Sequence, residues 1–403
     1  MDTTHMTDPA DTASDDPETR PVRLGAGPGR RGGELPEEAL AVPRERPPAD
    51  IEQIPSTMRA LVKGEAGPGL AFQGDRPVPE VGPREVLVRV SLAGICGTDR
   101  HIWEWDPWAA GRVPVGIATG HEFVGRVAKV GEAVTRCAVG QRVSAEGHMT
   151  AGLDYNSRTG SAHIASDTRI FGVDSDGCFA DYIRVPEENV WPVHRAIPDH
   201  VASVMDPLGN AVHTVMAAGV SAQTVLISGV GIIGLMAVTV AKAAGASRIF
   251  CTDINPERLG LAERLGATKA FDARDEGWIG QVRSACRGEG VDRLLEMSGS
   301  AIALDQGFAA MRNGGVAALL GLPAEPVRFD LNEHVIFKGA TVLGINGRKM
   351  FETWYQMEAL LLSGRLELDE IITHRYPIER YEEAFDTMIS GRGIKVLLEM
   401  NPE

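Results

Sequence analysis

The chain has 403 residues, 43% hydrophobic and 24% charged, which is ordinary globular composition with room for two or three domains. Its formal net charge of −15 (40 Lys and Arg against 55 Asp and Glu) argues against a nucleic-acid or anionic-membrane binder, because phosphate binding needs clustered positive charge. No apolar run approaches the ~20 residues of a membrane span, and the acidic, Pro-rich N-terminus resembles neither a secretory signal nor a transit peptide, so a cytoplasmic protein is expected.

Residues 1–57 are rich in Pro, Asp, Glu and Arg, with sparse apolar residues in no period. Such a segment buries too little surface to offset its ordering entropy, and a disordered extension is expected. At Met58 the pattern changes. MRALVKG, EVLVRVSLAGIC, HEFVGRVAKVG, QRVSAEG and FADYIRVP alternate apolar and polar residues as half-buried strands do, which makes 58–207 a mostly β domain. From there TVLISGVGIIGLMAVTVAKAAGA reads as a buried strand, a tight Gly turn and an apolar helix. RIFCTDI, VDRLLEMSG and GVAALLGL are further short strands between helical stretches, so 208–345 is expected to be a doubly wound parallel sheet with helices on both faces. Residues 346–403 return to helix and strand in MFETWYQMEALLLSG, YEEAFDTMISG and IKVLLEM. The fold class is α/β.

Gly229-Val-Gly231-Ile232-Ile233-Gly234 follows a strand and opens a helix, the context that makes G-x-G-x-x-G credible. The first glycine permits the turn, the second lets backbone approach a pyrophosphate, and the third lets helix and strand pack closely. The helix N-terminus then offers free N–H groups to phosphate. Asp253 ends the next strand, where its carboxylate can accept from ribose hydroxyls and repel a 2′-phosphate, so NAD is expected over NADP. Arg258, shortly after it, joins the cofactor-facing set.

The five cysteines, Cys96, Cys137, Cys178, Cys251 and Cys286, are far apart, and no C-x-x-C occurs. That disfavours a disulfide framework and an all-cysteine metal site, so a metal site must mix ligand types. Cys96 follows a strand and His121 precedes one, and thiolate with imidazole favours zinc. Asp206, in SVMDPLGNAVHT, is the candidate third ligand. Glu122, beside His121, either binds the metal or orients the site from behind its ligands. Zinc lowers the pKa of an alcohol oxygen, and NAD accepts the hydride that leaves the alkoxide. Thr98 and then His101 form a plausible proton exit.

At this point the residues resemble a family. Gly120-His121-Glu122-x-x-Gly125, followed by Gly131 and Val134, is similar to the zinc-type medium-chain alcohol dehydrogenase signature, and the resemblance covers about residues 58–403. It implies a GroES-like β-rich catalytic domain, built from both chain ends, on a Rossmann domain inserted between them. Longer stretches, among them AGICGTDRHIWEWDPW, DPLGNAVHT and INGRKMFETWY, resemble the threonine 3-dehydrogenase branch. That branch oxidises L-threonine with NAD to 2-amino-3-oxobutyrate. The resemblance implies zinc on Cys96, His121 and Glu122, with Asp206 at the position of the remaining carboxylate. It places Thr98 and His101 at relay positions and His148 at a histidine associated with substrate use. Another β-hydroxy amino acid, a polyol or an aminocyclitol is the alternative substrate class, and a non-catalytic dinucleotide-binding protein ranks low.

The branch commonly holds a second, structural zinc on four cysteines. Here those positions are Ala151, Asp154, Ser157 and Ala165. One zinc per chain is therefore expected, with hydrogen bonds or subunit packing ordering the loop. The branch is usually homotetrameric, and VIFKGATVLGIN is the candidate pairing edge. A small-molecule substrate, and no nucleic-acid or membrane partner, completes the expectation.

Overall fold

The computed structural model describes residues 53–401. The expected disordered segment lies outside them except at its end, where Thr57 already opens the first strand. Strands β1 (Thr57–Val62) and β2 (Ala71–Pro77) form an antiparallel pair. β3 (Glu85–Gly94) leads into α1 (Gly97–Glu104) and α2 (Pro107–Arg112). β4 (Glu122–Val130) and β5 (Arg142–Ala145) follow. A small lobe then runs through β6 (His148–Met149), the one-turn α3 (Tyr155–Arg158) and β7 (Arg169–Ile170). β8 (Tyr182–Pro186), β9 (Val190–Pro192) and the short α4 (Asp199–Ala202) lead to α5 (Met205–Ala218).

The alternating part comprises β10 (Thr224–Ser228), α6 (Ile232–Ala243), β11 (Arg248–Asp253), α7 (Pro256–Leu265), β12 (Lys269–Asp272), α8 (Trp278–Ala285), β13 (Val291–Glu296), α9 (Ala301–Ala310), β14 (Met311–Leu319) and β15 (Thr341–Gly344). The chain closes with α10 (Glu352–Leu362), β16 (Ile372–Pro377), α11 (Tyr381–Ile389) and β17 (Lys395–Glu399).

Two sheets organise these elements. The six-stranded sheet has the order β12-β11-β10-β13-β14-β15, and every pairing in it is parallel. Its order reverses between β10 and β13, the crevice where such sheets bind dinucleotides. Val225, Leu226 and Ile227 are fully buried, as a central parallel strand covered on both faces requires. The seven-stranded sheet runs β16-β17-β3-β4-β5-β9, with β8 also on β3. β17 joins β3 antiparallel, with Leu397 opposite Gly94 and Glu399 opposite Leu92, so both ends of the described chain build this sheet.

One expected boundary cuts through an element. Residues 207 and 208 fall in the first turn of α5, an unbroken helix. Pro207 is tolerated there because a first-turn N–H has no partner inside the helix. Leu208, Val212 and Val215 of α5 share one core with Trp354 and Met357 of α10 and Leu235 of α6. That helix therefore bridges the two sheets, and its polar face carries part of the site.

Candidate active site

Cys96 sits at the N-cap of α1 with extended backbone (φ −105°, ψ 163°). Asp99 Oδ2 accepts from the Cys96 backbone N–H at 2.8 Å, which fixes the turn that aims the thiol. Gly120 has φ +85°, a left-handed conformation that glycine adopts without penalty, and a Cβ there would lie 2.4 Å from the Phe179 ring. That turn delivers His121 and Glu122 at the start of β4. One ligand atom each from Cys96, His121 and Glu122 lies within 4.8 Å of the others. Among the described residues this is the one group of three or more His, Cys, Asp or Glu spaced for a metal ion.

The electrostatics around this group suit a cation. Asp99 is fully buried, its Oδ1 has no hydrogen-bond partner, and it faces His121 Nδ1 at 3.9 Å. His121 Nδ1 and Glu122 Oε1 are also enclosed without hydrogen bonds. Burial alone would push the His121 pKa down, yet the negative charge of Asp99 and Cys96 outweighs it and raises the pKa to about 10. Burial raises Glu122 in turn, and the Lys395 ammonium opposes that rise. Lys395 is itself fully buried on β17, ion-paired with Glu122 and donating to Ile95 O at 2.8 Å. The donor set of thiol, imidazole and carboxylate, with orphaned buried atoms among them, fits zinc.

Asp206, the expected further ligand, is ion-paired with Arg348. Its carboxylate lies outside the three-residue group because Arg348 claims it, with Nη1 2.6 Å from Oδ2. Arg348 is buried, and its Nη2 also reaches Glu146 Oε1 at 2.5 Å. Glu146 accepts from Trp354 Nε1 at 2.7 Å and lies 2.8 Å from His148 Nδ1. The Arg348 guanidinium and this hydrogen bonding hold Glu146 well below the usual carboxylate range, against the upward pull of burial. His148 therefore borders the site with one ring nitrogen fixed.

Thr98 Oγ1 stands 3.9 Å from Cys96 Sγ. His101, three residues on along α1, is exposed and has Nδ1 2.6 Å from Asp106 Oδ2. No hydrogen bond joins Thr98 to His101 among the described residues.

At the sheet crevice Gly229 has φ +85°, and a Cβ there would lie 2.7 Å from Ser298 Cβ. A Cβ on Gly234 would lie 2.1 Å from Gly229 O, so that glycine is the close helix–strand contact. A Cβ on Gly231 would meet nothing within 4 Å, and Ile232 and Ile233 open α6 beside it with N–H groups free of helix partners. Asp253, at the end of β11, accepts from Val230 N–H and Asn255 N–H at 2.8 and 2.9 Å. It is tied to the glycine turn. Arg258 follows in the first turn of α7, half-buried.

The comparisons decide the family. Residues 82–195 match the alcohol dehydrogenase GroES-like domain, and residues 233–363 match the zinc-binding dehydrogenase domain. An L-threonine 3-dehydrogenase of Symbiobacterium thermophilum is 47% identical over 343 residues, covering 85% of this chain and 97% of that protein. The chain belongs to the zinc-dependent medium-chain dehydrogenases. An L-threonine 3-dehydrogenase of Bacillus subtilis is 45% identical over 341 residues, with 85% and 98% covered. Among solved structures, an alcohol dehydrogenase from Thermus sp. ATN1 superposes with a TM-score of 0.78 at 30% identity, covering 85% of this chain and all of that one. A dehydrogenase of Sinorhizobium meliloti bound to NADP gives 0.78 at 27% identity, covering 86% and 100%. A zinc-binding, nicotinamide-dependent enzyme acting on a small molecule follows. No helix among the described residues is long and apolar enough to cross a membrane.

The sequence reading missed Asp99, Glu146, Arg348 and Lys395. The one local signal was for Lys395, a lysine at the head of the apolar strand KVLLE.

Proposed function

We propose that this dehydrogenase oxidises L-threonine at C3 to 2-amino-3-oxobutyrate, with NAD as hydride acceptor and one zinc per chain. The observation that carries the reading is the buried, electronegative Cys96–His121–Glu122 group. The identity of 45–47% to threonine dehydrogenases directs it to threonine.

Cys96, His121 and Glu122 would hold the zinc, and Lys395 and Asp99 fix Glu122 and the Cys96 turn from behind. When bound, zinc lowers the pKa of an alcohol oxygen and NAD accepts a hydride. Thr98 Oγ1 is the hydroxyl placed to take up the substrate proton. His101, held by Asp106 at the surface, passes it to solvent. Asp206 adds negative charge beside the metal group and is held off it by Arg348. His148 faces substrate.

Gly229, Gly231, Ile232, Ile233 and Gly234 cradle the pyrophosphate, with Arg258 beside them. Asp253 favours NAD because each of its oxygens keeps a lone pair for a ribose hydroxyl and its charge repels a 2′-phosphate. β15, an edge strand of the parallel sheet, carries exposed Val342 and follows a turn with exposed Ile336 and Phe337, which supports pairing with a second copy on the way to a tetramer. The five free cysteines support a cytoplasmic location.

The test is the initial rate of NADH formation from L-threonine by zinc-replete protein. A kcat/KM of ~10⁴ M⁻¹s⁻¹ or more is expected. No rate from protein that binds both zinc and NAD would move the substrate to another β-hydroxy amino acid, a polyol or an aminocyclitol.

A further inference from the structure

Threonine carries a carboxylate two bonds from the carbon that is oxidised, and that charge needs a partner. Arg348 does not supply one, being buried between Glu146 and Asp206. Lys395 is buried against Glu122. Lys349, whose charge acts on His163, is ion-paired with Glu352 at 2.5 Å. Three imidazoles remain for consideration on this side of the site: His148, His163 and His213.

These groups are linked by contact to the metal group. A Cβ on Gly147 would lie 3.8 Å from His121 O and 3.3 Å from both Asp206 Oδ1 and Arg348 Nη2. The next residue, His148, packs its ring against Gly347. Gly347 O accepts from His213 Nδ1 at 2.9 Å. The His213 ring, on α5, meets the His163 ring edge-on, with centroids 5.3 Å apart. His163 comes from the lobe that lacks the four cysteines, and all three histidines are partly exposed.

The three imidazoles differ in commitment. His148 and His213 each have Nδ1 occupied. His163 has no ring hydrogen bond among the described residues, although its Nδ1 is enclosed. An enclosed ring nitrogen without a partner is costly and calls for an explanation. Burial lowers the His163 pKa, and His213, Lys349 and His148 lower it further against the opposing pull of Glu146, so the ring is neutral and keeps one N–H to donate.

We infer that His163, seated on His213, receives the substrate carboxylate and is a specificity-determining residue. This rests on the threonine reading. It also gives the lobe a task independent of a metal: it carries His163 against His213 of α5.

The test compares L-threonine with L-threoninol, in which the carboxylate is replaced by CH₂OH and the secondary alcohol is kept. His163→Ala should raise KM for L-threonine about 10- to 100-fold, the range for a lost hydrogen bond to a charged group, with kcat changed less than about threefold. Its kcat/KM for L-threoninol should match wild type. His163→Gln, which keeps an N–H donor, should recover most of the KM. Equal losses on both substrates would reveal a merely structural role and overturn the assignment, as would an unchanged KM for L-threonine. Wild-type turnover of L-threoninol without turnover of L-threonine would sink the threonine reading itself, and the subsite with it.

Discussion

The metal group and the lobe after β6 belong to one domain and answer the same problem in opposite ways. Around Cys96 the chain buries negative groups that only a cation or a buried lysine can balance. In the lobe, where the family resemblance leads one to expect cysteines at Ala151, Asp154, Ser157 and Ala165, two aspartates near the surface do the ordering. Asp154 caps α3 through Ser157 N–H at 2.8 Å and reaches across the loop to Ser166 N–H at 3.0 Å. Asp167 accepts from Ala151 N–H at 2.8 Å and Thr150 Oγ1 at 2.5 Å. Two aspartates and four donors thus pin the loop. The contrast teaches that burial sets the demand for an ion: solvated carboxylates are content with N–H and O–H donors.

The strongest break is Cys96→Ser. Zinc content by elemental analysis and NADH formation should both fall to background, a loss of at least about 10³-fold in rate, while NAD affinity measured by calorimetry stays near wild type. Loss of NAD affinity alongside would join two sites that are separate here. Next comes Lys395→Met, which strands Glu122 in the interior. Zinc-free protein should lose about 3–5 kcal/mol in urea unfolding, and zinc-loaded protein less, because the metal then balances Glu122. Equal losses in both forms would deny that lysine and metal share that carboxylate.

Asp253→Ser should narrow the NAD-to-NADP ratio of kcat/KM by about tenfold or more; an unchanged ratio contradicts the ribose assignment. The smallest effects lie in the lobe. Asp154→Ala should remove the N-cap of α3 and speed proteolytic cutting between residues 151 and 166, whereas chelation should leave cutting unchanged. The pH dependence follows the same carboxylates. Ser157 holds Asp154, and Thr150 holds Asp167, below the usual range. Stabilisation by a depressed carboxyl is present above its unfolded pKa of about 4 and is lost as pH falls through the folded value. Lobe opening read from hydrogen exchange, after correction for the pH dependence of the intrinsic exchange rate, should stay constant from pH 8 to 5 and rise below about 4. A rise near pH 6 would shift control of the lobe from its aspartates to a histidine.

What could be read in the sequence was local. The glycine turn before Ile232 is specified by its own backbone, and Cys96 and His121 lie in short motifs at strand ends. The Asp154-x-x-Ser157 cap was equally local, though its aspartate drew notice only as a missing ligand. Glu146 and Arg348 are 202 residues apart, and Lys395 and Ile95 are 300 apart. No period or motif announces such pairs, because sheet closure and α5 bring them together. Asp206 is another case: the Arg348 that pairs with it lies 142 residues away and could not be read beside it.

The position of Lys395 on the last strand bears on how the enzyme is made. Cys96, His121 and Glu122 leave the ribosome early, and the parallel sheet, its strands close in sequence, can fold during synthesis. The β-rich domain must wait for Lys395–Glu399 to close against β3 and for the ammonium to settle beside Glu122. Until β17 has emerged and paired with β3, Glu122 has no ammonium beside it, and the pocket lacks the wall that Lys395 completes.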